Sequence, residues 1–282
     1  MLTTAYPLRA IGPGTIEIDE FDCGSIFLLE GRDQAMVIDT GSGIGDLRGL
    51  LARLTDKPLL LVLTHAHGDH TGGIGWFDEY YLHPADWDLY GDMDGVDRHR
   101  QYAGFIAKRE GKTYPYDPMV DIRPWPEGAN PKRLPLADGQ SFDLGGRVVT
   151  AYHCPGHTPG SMVFHDSLTN ILFAGDACNC NMLMAGKPGA PTFTSVERGL
   201  AALKRVAALD FCCIYNGHHD FRPLGQPLDA TVLPNLIGCC EDLMSGNYHA
   251  ETIPGMFPGM PDRTVVRRGT VMVTFTEEGI RG

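Results

Sequence analysis

Three histidines and an aspartate crowd into the segment THAHGDH, directly after the apolar run LLLVL. His65, His67 and His70 supply imidazole nitrogens, and Asp69 adds a carboxylate oxygen beside them. A set of imidazoles and a carboxylate without cysteine suits a catalytic zinc, iron or manganese ion better than a structural zinc ion. The spacing therefore predicts a metal site in the turn that follows a buried strand.

One turn cannot complete a coordination sphere, so further ligands are expected at the ends of other strands. CPGHTPGS places His157 between two glycine–proline elements, and LFAGDAC places Asp176 at the end of a strand-like run. IYNGHHD places His218 and His219 after another such run. Each segment has a glycine beside the candidate side chain, as expected for a site built on loops around a rigid sheet.

The elements that must position these residues alternate in type along the chain. The strand-like runs TIEIDE, SIFLLEG and AMVIDTG precede an amphipathic helix at IGDLRGLLARL and a buried strand at PLLLVLTH. The outline then repeats, with strands at GGRVVTAYHC, GSMVFHD and NILFAGD and a helix at SVERGLAALKRVAAL. Two similar halves of this kind predict two stacked sheets with helices outside.

Two segments lie outside this outline. Residues of about 84–135 are polar, aromatic and partly helical, and we interpret them as a lid-like insertion because they are too few for a core of their own. Residues of about 222–282 form a C-terminal extension, and the whole chain, 1–282, is predicted to be a single domain. The insertion and the 244–261 segment hold side chains that could line a substrate pocket or pack the lid: Trp87, Tyr90, Tyr102, Phe105, Tyr114, Tyr116, Tyr248, Met256 and Phe257.

The motifs occur in a characteristic order. HAHGDH at 65–70 is followed by PGHTPGS around His157, FAGD ending at Asp176 and NGH at His218. Together with VIDTGSG, which contains Asp39, they resemble the metallo-β-lactamase-fold hydrolase superfamily over nearly the whole chain. HTPGS and GD are most similar to its glyoxalase II and lactonase-like branches. The resemblance implies an α/β fold, a four-layer αββα sandwich of two mixed β-sheets flanked by helices.

The resemblance also implies a role for each matched residue. It assigns two sets of metal ligands joined by a bridging carboxylate: His65, His67 and His157 for one divalent ion, Asp69, His70 and His218 for the other, and Asp176 between them. Asp39 is expected behind the ligands, holding an imidazole in one tautomer, and His219 either behind them or facing substrate. Asp69 is also the candidate catalytic proton donor, with a metal-bound water as the alternative. Zinc is the favoured metal, with iron or manganese as alternatives.

The activity that the resemblance implies is hydrolysis, in which a hydroxide that bridges two metals attacks a carbonyl. We expect a small ester, thioester or lactone as substrate. Two alternatives stay open: a phosphodiesterase acting on a small phosphorylated metabolite, and a metal-binding, non-catalytic member of the fold. A di-iron redox protein is disfavoured because flavodiiron proteins carry glutamate where this chain has His67. Asp69 and His218 favour a second metal over the single iron of persulfide dioxygenases.

Composition limits the expected partners. The chain has 282 residues and a formal net charge of −12, from 35 acidic and 23 basic side chains. Such a surface repels phosphate backbones, so we expect a small-molecule substrate and no nucleic acid. A signal-peptide pattern and an apolar run of 18 residues are both missing, which predicts a cytoplasmic protein without membrane contact. The eight cysteines, Cys178 among them, are expected to be reduced, and a homodimer is left open.

Overall fold

A computed structural model of the protein describes residues 3–88, 95–109, 111–184, 188–219, 222–256 and 259–281. The first half contains β1 (Leu8–Gly12), β2 (Thr15–Asp19), β3 (Ser25–Glu30), β4 (Ala35–Ile38), α1 (Leu47–Leu54), β5 (Leu59–Val62), α2 (Gly68–Thr71), β6 (Glu79–Leu82), α3 (Val96–Ile106), α4 (Pro118–Asp121) and β7 (Lys132–Pro135). The second half contains β8 (Ser141–Asp143), β9 (Val148–His153), β10 (Met162–Asp166), β11 (Ile171–Gly175), β12 (Asn181–Met184), α5 (Val196–Ala207), β13 (Cys213–Asn216), α6 (Val232–Ser245), β14 (Glu251–Ile253), β15 (Arg263–Arg268) and β16 (Val271–Phe275). Short 3-10 turns occur at Ile74–Trp76, Pro84–Asp86 and Glu277–Gly279.

Two mixed sheets pack face to face at the centre. The first runs β1-β2-β3-β4-β5-β6-β7, antiparallel up to β4 and parallel from there on. The second runs β13-β11-β10-β9-β8, in which β13 pairs parallel with β11. Phe27 of the first sheet and Phe164 and Phe173 of the second are buried in the core between them. The rings of Phe27 and Phe173 have centroids 4.7 Å apart, which shows how closely the two inner faces interlock.

Helices cover both outer faces. The apolar stripe of α1, with Leu47, Leu50 and Leu51, packs with residues of α3 against the first sheet. Helices α5 and α6 pack together against the second sheet. Because both faces of each sheet are covered, strands such as β3 and β4 are almost continuously apolar. The four-layer αββα sandwich is therefore confirmed.

The C-terminal extension contributes to a third sheet, which the sequence did not predict. Its strand order is β12-β16-β15-β14, so the two final strands pair with β12, a segment that lies before α5. This sheet packs with α6 in the core outside the second sheet. Pro234 lies in the first turn of α6, where its missing N–H is tolerated, and the helix ends at Gly246 with a φ of 74°.

The range 84–135 is only partly an insertion. It contains the 3-10 turn Pro84–Asp86, α3 and α4, but its last four residues, Lys132–Pro135, are β7 at the edge of the first sheet. The letters KRLP show no alternation of apolar and polar residues, and proline is tolerated there because an edge strand has one unpaired side. The lid-like part therefore ends before residue 132.

The structure shows the state of the cysteines and whether the described helices could cross a membrane. All eight cysteines are free, and most are buried, including Cys178 in the core outside the second sheet. Across the described ranges, no helix combines the length and the apolar character that crossing a membrane requires.

Candidate metal centre

The candidate ligands lie on loops that leave the two sheets at one edge of the sandwich. His65 and its neighbours follow β5 of the first sheet, and His157 follows β9 of the second. Asp176 follows β11 and His218 follows β13. Because β11 and β13 are parallel neighbours, the segments after them leave the sheet side by side. Candidate ligands that are far apart in the chain therefore lie together at one edge of the sandwich.

The first group of ligands is a set of three histidines, His65, His67 and His157. Nδ1 of His67 lies 3.0 Å from Nε2 of His65 and 2.8 Å from Nε2 of His157. Burial lowers the pKa of His67 to about 3, and burial also lowers the pKa of His65 and of His157. The three rings are therefore neutral, and neutral imidazoles offer their lone pairs to a cation. We call this group the three-histidine set.

The second group combines Asp69, His70 and His218, whose ligand atoms all lie within 4.8 Å of one another. Oδ2 of Asp69 lies 3.6 Å from Nε2 of His218. Burial raises the pKa of Asp69, but His70 and His218 outweigh it and hold that pKa below its usual range. Asp69 is therefore ionised, which adds negative charge where a second cation would lie.

Asp176 faces both groups. Its Oδ2 lies 3.2 Å from Nε2 of His218 and 3.6 Å from Nε2 of His157. Burial raises the pKa of Asp176, but His218, His70 and His157 outweigh it and hold the pKa well below its usual range. An ionised carboxylate between two ligand sets is suited to bridging two cations.

Two atoms at the centre of the site test whether divalent ions fit there. Within the part of the chain that the structure describes, Nε2 of His70 and Oδ1 of Asp176 are buried without a hydrogen-bond partner. They lie 3.8 Å apart. Buried polar atoms nearly always have a partner, so an unbonded imidazole nitrogen and carboxylate oxygen facing each other indicate a cation position. The residues present fit divalent metal ions.

Asp39 lies behind His70. Its Oδ2 is 2.8 Å from Nδ1 of His70, and it also accepts hydrogen bonds from the amide and hydroxyl of Thr64. Burial alone would lower the pKa of His70, but the carboxylates of Asp39, Asp69 and Asp176 outweigh it and raise that pKa to about 10. The bond to Asp39 keeps a proton on Nδ1. The same carboxylates favour positive charge at Nε2, which lies 3.8 Å from Oδ1 of Asp176, and a bound metal ion would replace the second proton there.

Comparison with known proteins identifies the family of the chain. Residues 21–218, more than half of the chain, match the model of the metallo-beta-lactamase superfamily. The chain belongs to this superfamily.

Curated relatives and solved structures extend the comparison. Acyl-coenzyme A thioesterase MBLAC2 from Bos taurus is 34% identical over 188 residues, which cover 61% of this chain and 66% of the relative. Hydroxyacylglutathione hydrolase from Aeromonas salmonicida (strain A449) is 28% identical, covering 67% of this chain and 60% of the relative. Both matches span less than two thirds of the relatives' lengths. A metallo-beta-lactamase family protein from Thermus thermophilus matches with a TM-score of 0.54 and 21% identity, over 86% of this chain and 85% of that chain, which shows the shared fold.

His219 lies next to the candidate ligand His218 but belongs to none of the three groups of potential metal ligands found among the described residues. Its Nε2 is 2.9 Å from Oγ of Ser25 and 3.7 Å from carboxylate oxygens of Glu17 and Asp19. Arg222 pairs with Glu17 in the same buried cluster. His219 therefore lies behind the ligands, among the residues that support the end of β13.

Sequence reasoning missed buried polar residues that hold the ligand loops: Glu17, Glu20, Asp86 and Arg222. Glu20 accepts hydrogen bonds from the amides of Ser42 and Ile44, in the glycine-rich turn that follows Asp39. The run GSGIG was a usable signal, because successive amides in a glycine-rich turn form an anion-binding concavity. No comparable local signal marks Asp86 or Arg222.

The lid aromatics bind the insertion to the sandwich. The hydroxyl of Tyr102 donates to the carbonyl of Cys23 and that of Tyr114 to Asp22. Tyr116 donates to the carbonyl of Ala103 within the insertion, and its ring packs 5.2 Å from that of Phe21. Trp87 and Phe105 pack against the core outside the first sheet, and Tyr248 packs against Phe275 in the core outside the second. Met256 is exposed. Tyr90 and Phe257 lie outside the described residues.

Gly175 shows how closely the two sheets approach beneath Asp176. Its φ is 48°, and a Cβ placed there would lie 2.5 Å from the side chain of Thr64. We expect Gly175→Ala to lower the free energy of unfolding by about 1–3 kcal/mol more than Gly146→Ala, measured by urea unfolding. Gly146 has a similar φ of 76° but no atom within 4 Å of its Cβ position, so it isolates backbone strain from crowding. Equal losses in the two variants would contradict the close approach.

Proposed function

We propose that this protein is a hydrolase that uses two divalent metal ions and acts on thioesters. The observation that carries the proposal is the meeting of two ligand groups at one edge of the sandwich, with Asp176 facing both. Sequence similarity to a relative named as an acyl-coenzyme A thioesterase and to one named as a hydroxyacylglutathione hydrolase supports the proposal. A small-molecule substrate fits a chain of net charge −12 better than nucleic acid does.

The three-histidine set would hold one ion, and Asp69, His70 and His218 would hold the other, with Asp176 contributing to both. Divalent ions bound there would polarise the thioester carbonyl and lower the pKa of a water molecule toward neutrality. Zinc fits the donors, which are imidazole and carboxylate without thiolate, and iron or manganese would fit as well.

The side chains around these ligands would handle orientation and protons. The bond from Asp39 keeps His70 in one tautomer and one orientation. The carboxylate of Asp69 is 19% exposed, whereas the side chain of His70 is 1% exposed, so a substrate reaches Asp69 more readily. Because Asp69 is ionised, its Oδ atoms can take a proton from the attacking water and pass it to the leaving sulfur.

A hydrolysis screen tests the proposed function. Protein loaded with zinc or with manganese is assayed against a thioester, a lactone, a phosphodiester and a β-lactam. The metal content of each sample is quantified, and a chelator-treated sample serves as the control. We expect turnover of the thioester that chelation abolishes and added metal restores. Turnover of the phosphodiester alone would identify a phosphodiesterase. Two bound metals without turnover of any substrate would favour a protein of this fold that only binds metal.

A further inference from the structure

Asp86 is a fully buried carboxylate at the base of the insertion. It lies in the 3-10 turn Pro84–Asp86, shortly after β6, and none of its surface is exposed. Its Oδ2 accepts hydrogen bonds from the amide of Ala66, at 3.2 Å, and from the hydroxyl of Thr158, at 2.7 Å. Its Oδ1 accepts one from the amide of Gly160, at 2.6 Å. Both carboxylate oxygens therefore accept hydrogen bonds from the protein.

The partners of Asp86 lie in the two loops that carry the three-histidine set. Ala66 stands between His65 and His67, and Thr158 directly follows His157. A main-chain bond from Met162 to Thr64 joins the two strands below these loops. Asp86 joins the loops themselves, at the level of the ligands.

The contact leaves no room for adjustment. A Cβ placed on Gly160 would lie 2.6 Å from the carboxylate of Asp86, so that loop lies directly on the side chain. All three partners donate hydrogen bonds, and a carboxylate can accept all of them. An amide of the same size would turn an NH₂ group toward a donor and leave a buried N–H without an acceptor.

We infer that Asp86 is a positioning residue for the three-histidine set: it ties the loop of His65 and His67 to the loop of His157 and so sets the spacing of their nitrogens. The inference rests on the proposed function only in requiring that this set binds a metal ion. Mutation of groups that support metal ligands in this way typically lowers metal affinity 10- to 100-fold.

The test measures zinc affinity, with zinc alone as the probe, by competition against a chromophoric chelator. Asp69→Ala leaves the three-histidine set as the intact site, and His157→Ala leaves the other group. Asp86→Asn is then added to each background. We expect it to weaken zinc binding 10- to 100-fold in the Asp69→Ala protein and less than about threefold in the His157→Ala protein.

A matched control separates positioning from general loss of stability. Asp166 is also fully buried and accepts hydrogen bonds from the amides of Leu168 and Thr169 and from the guanidinium of Arg147, but it lies at the end of β10 away from the ligands. Asp166→Asn is expected to lower stability without changing zinc affinity in either background. Equal weakening in both backgrounds, the same weakening by Asp166→Asn, or no weakening by Asp86→Asn would each overturn the inference.

A variant that does not fold and a wild-type chain that binds no zinc must be distinguished from failure of this inference alone. If Asp86→Asn does not fold, Thr158→Val removes one of the same hydrogen bonds, and the same selectivity between backgrounds is expected of it. A wild-type chain that binds no zinc would overturn the proposed function together with this inference. Wild-type binding that Asp86→Asn leaves unchanged would overturn this inference alone.

Discussion

Replacing Asp69 by alanine is expected to lower kcat for the thioester by about 10²- to 10⁴-fold while the protein stays folded. Asp69 supplies a carboxylate to the second ligand group and is the ionised, partly exposed group that can move a proton to the leaving sulfur. The loss of fold stability should be small, because the side chain of Asp69 is partly exposed rather than part of the core. Steady-state kinetics with the zinc content measured in each sample checks this expectation.

A surface variant controls for the change in charge. Asp56 is 92% exposed, and Asp56→Ala removes the same charge far from the ligand loops, so its kcat should equal that of the unaltered protein. Excess zinc separates the two roles of Asp69. If zinc restores the activity of Asp69→Ala, the carboxylate acts only as a ligand. Activity within tenfold of the unaltered protein without added zinc would contradict a two-metal mechanism.

The largest effect on stability is expected at the buried ion pair of Arg222 and Glu17. Nη2 of Arg222 lies 2.6 Å from Oε1 of Glu17, and the two side chains are 1% and 0% exposed. Arg222 also donates to the side chain and carbonyl of Asn216 and to the carbonyl of Gln226. Arg222→Met would leave the buried carboxylate of Glu17 without its opposite charge, and the oxygens of Asn216 and Gln226 without their donor. We expect it to lower the free energy of unfolding by about 3–5 kcal/mol, measured by urea unfolding of metal-free protein.

Two comparisons test the cause of that loss. Arg32 pairs with Asp33 at the surface, with side chains 75% and 61% exposed, so Arg32→Met should leave the midpoint of unfolding unchanged. Adding Glu17→Gln to Arg222→Met removes the unpaired charge and should recover part of the stability. A double variant no more stable than Arg222→Met would show that the buried charge is not the cause.

Elements with a strong local pattern were predictable from the sequence. Strands β3, β4, β10 and β11 are short apolar runs between turn residues, and α1 and α5 carry apolar stripes at helical spacing. The edge strands β7, β12 and β14 were not predicted. Each has only three or four residues, and β12 becomes a strand because it pairs with β16, far along the chain. Their conformation depends on a partner rather than on their own pattern.

The amino-acid order was enough to predict the family and to single out candidate metal ligands at the ends of strands, because each motif is complete within a few residues. The meeting of the two ligand groups at Asp176 could not be predicted in this way, since it depends on how two sheets stack. The same holds for Asp86, Glu17 and Arg222. From the sequence alone, a charged residue is predicted to lie at the surface. Only the fold supplies the distant donors and acceptors that allow it to be buried.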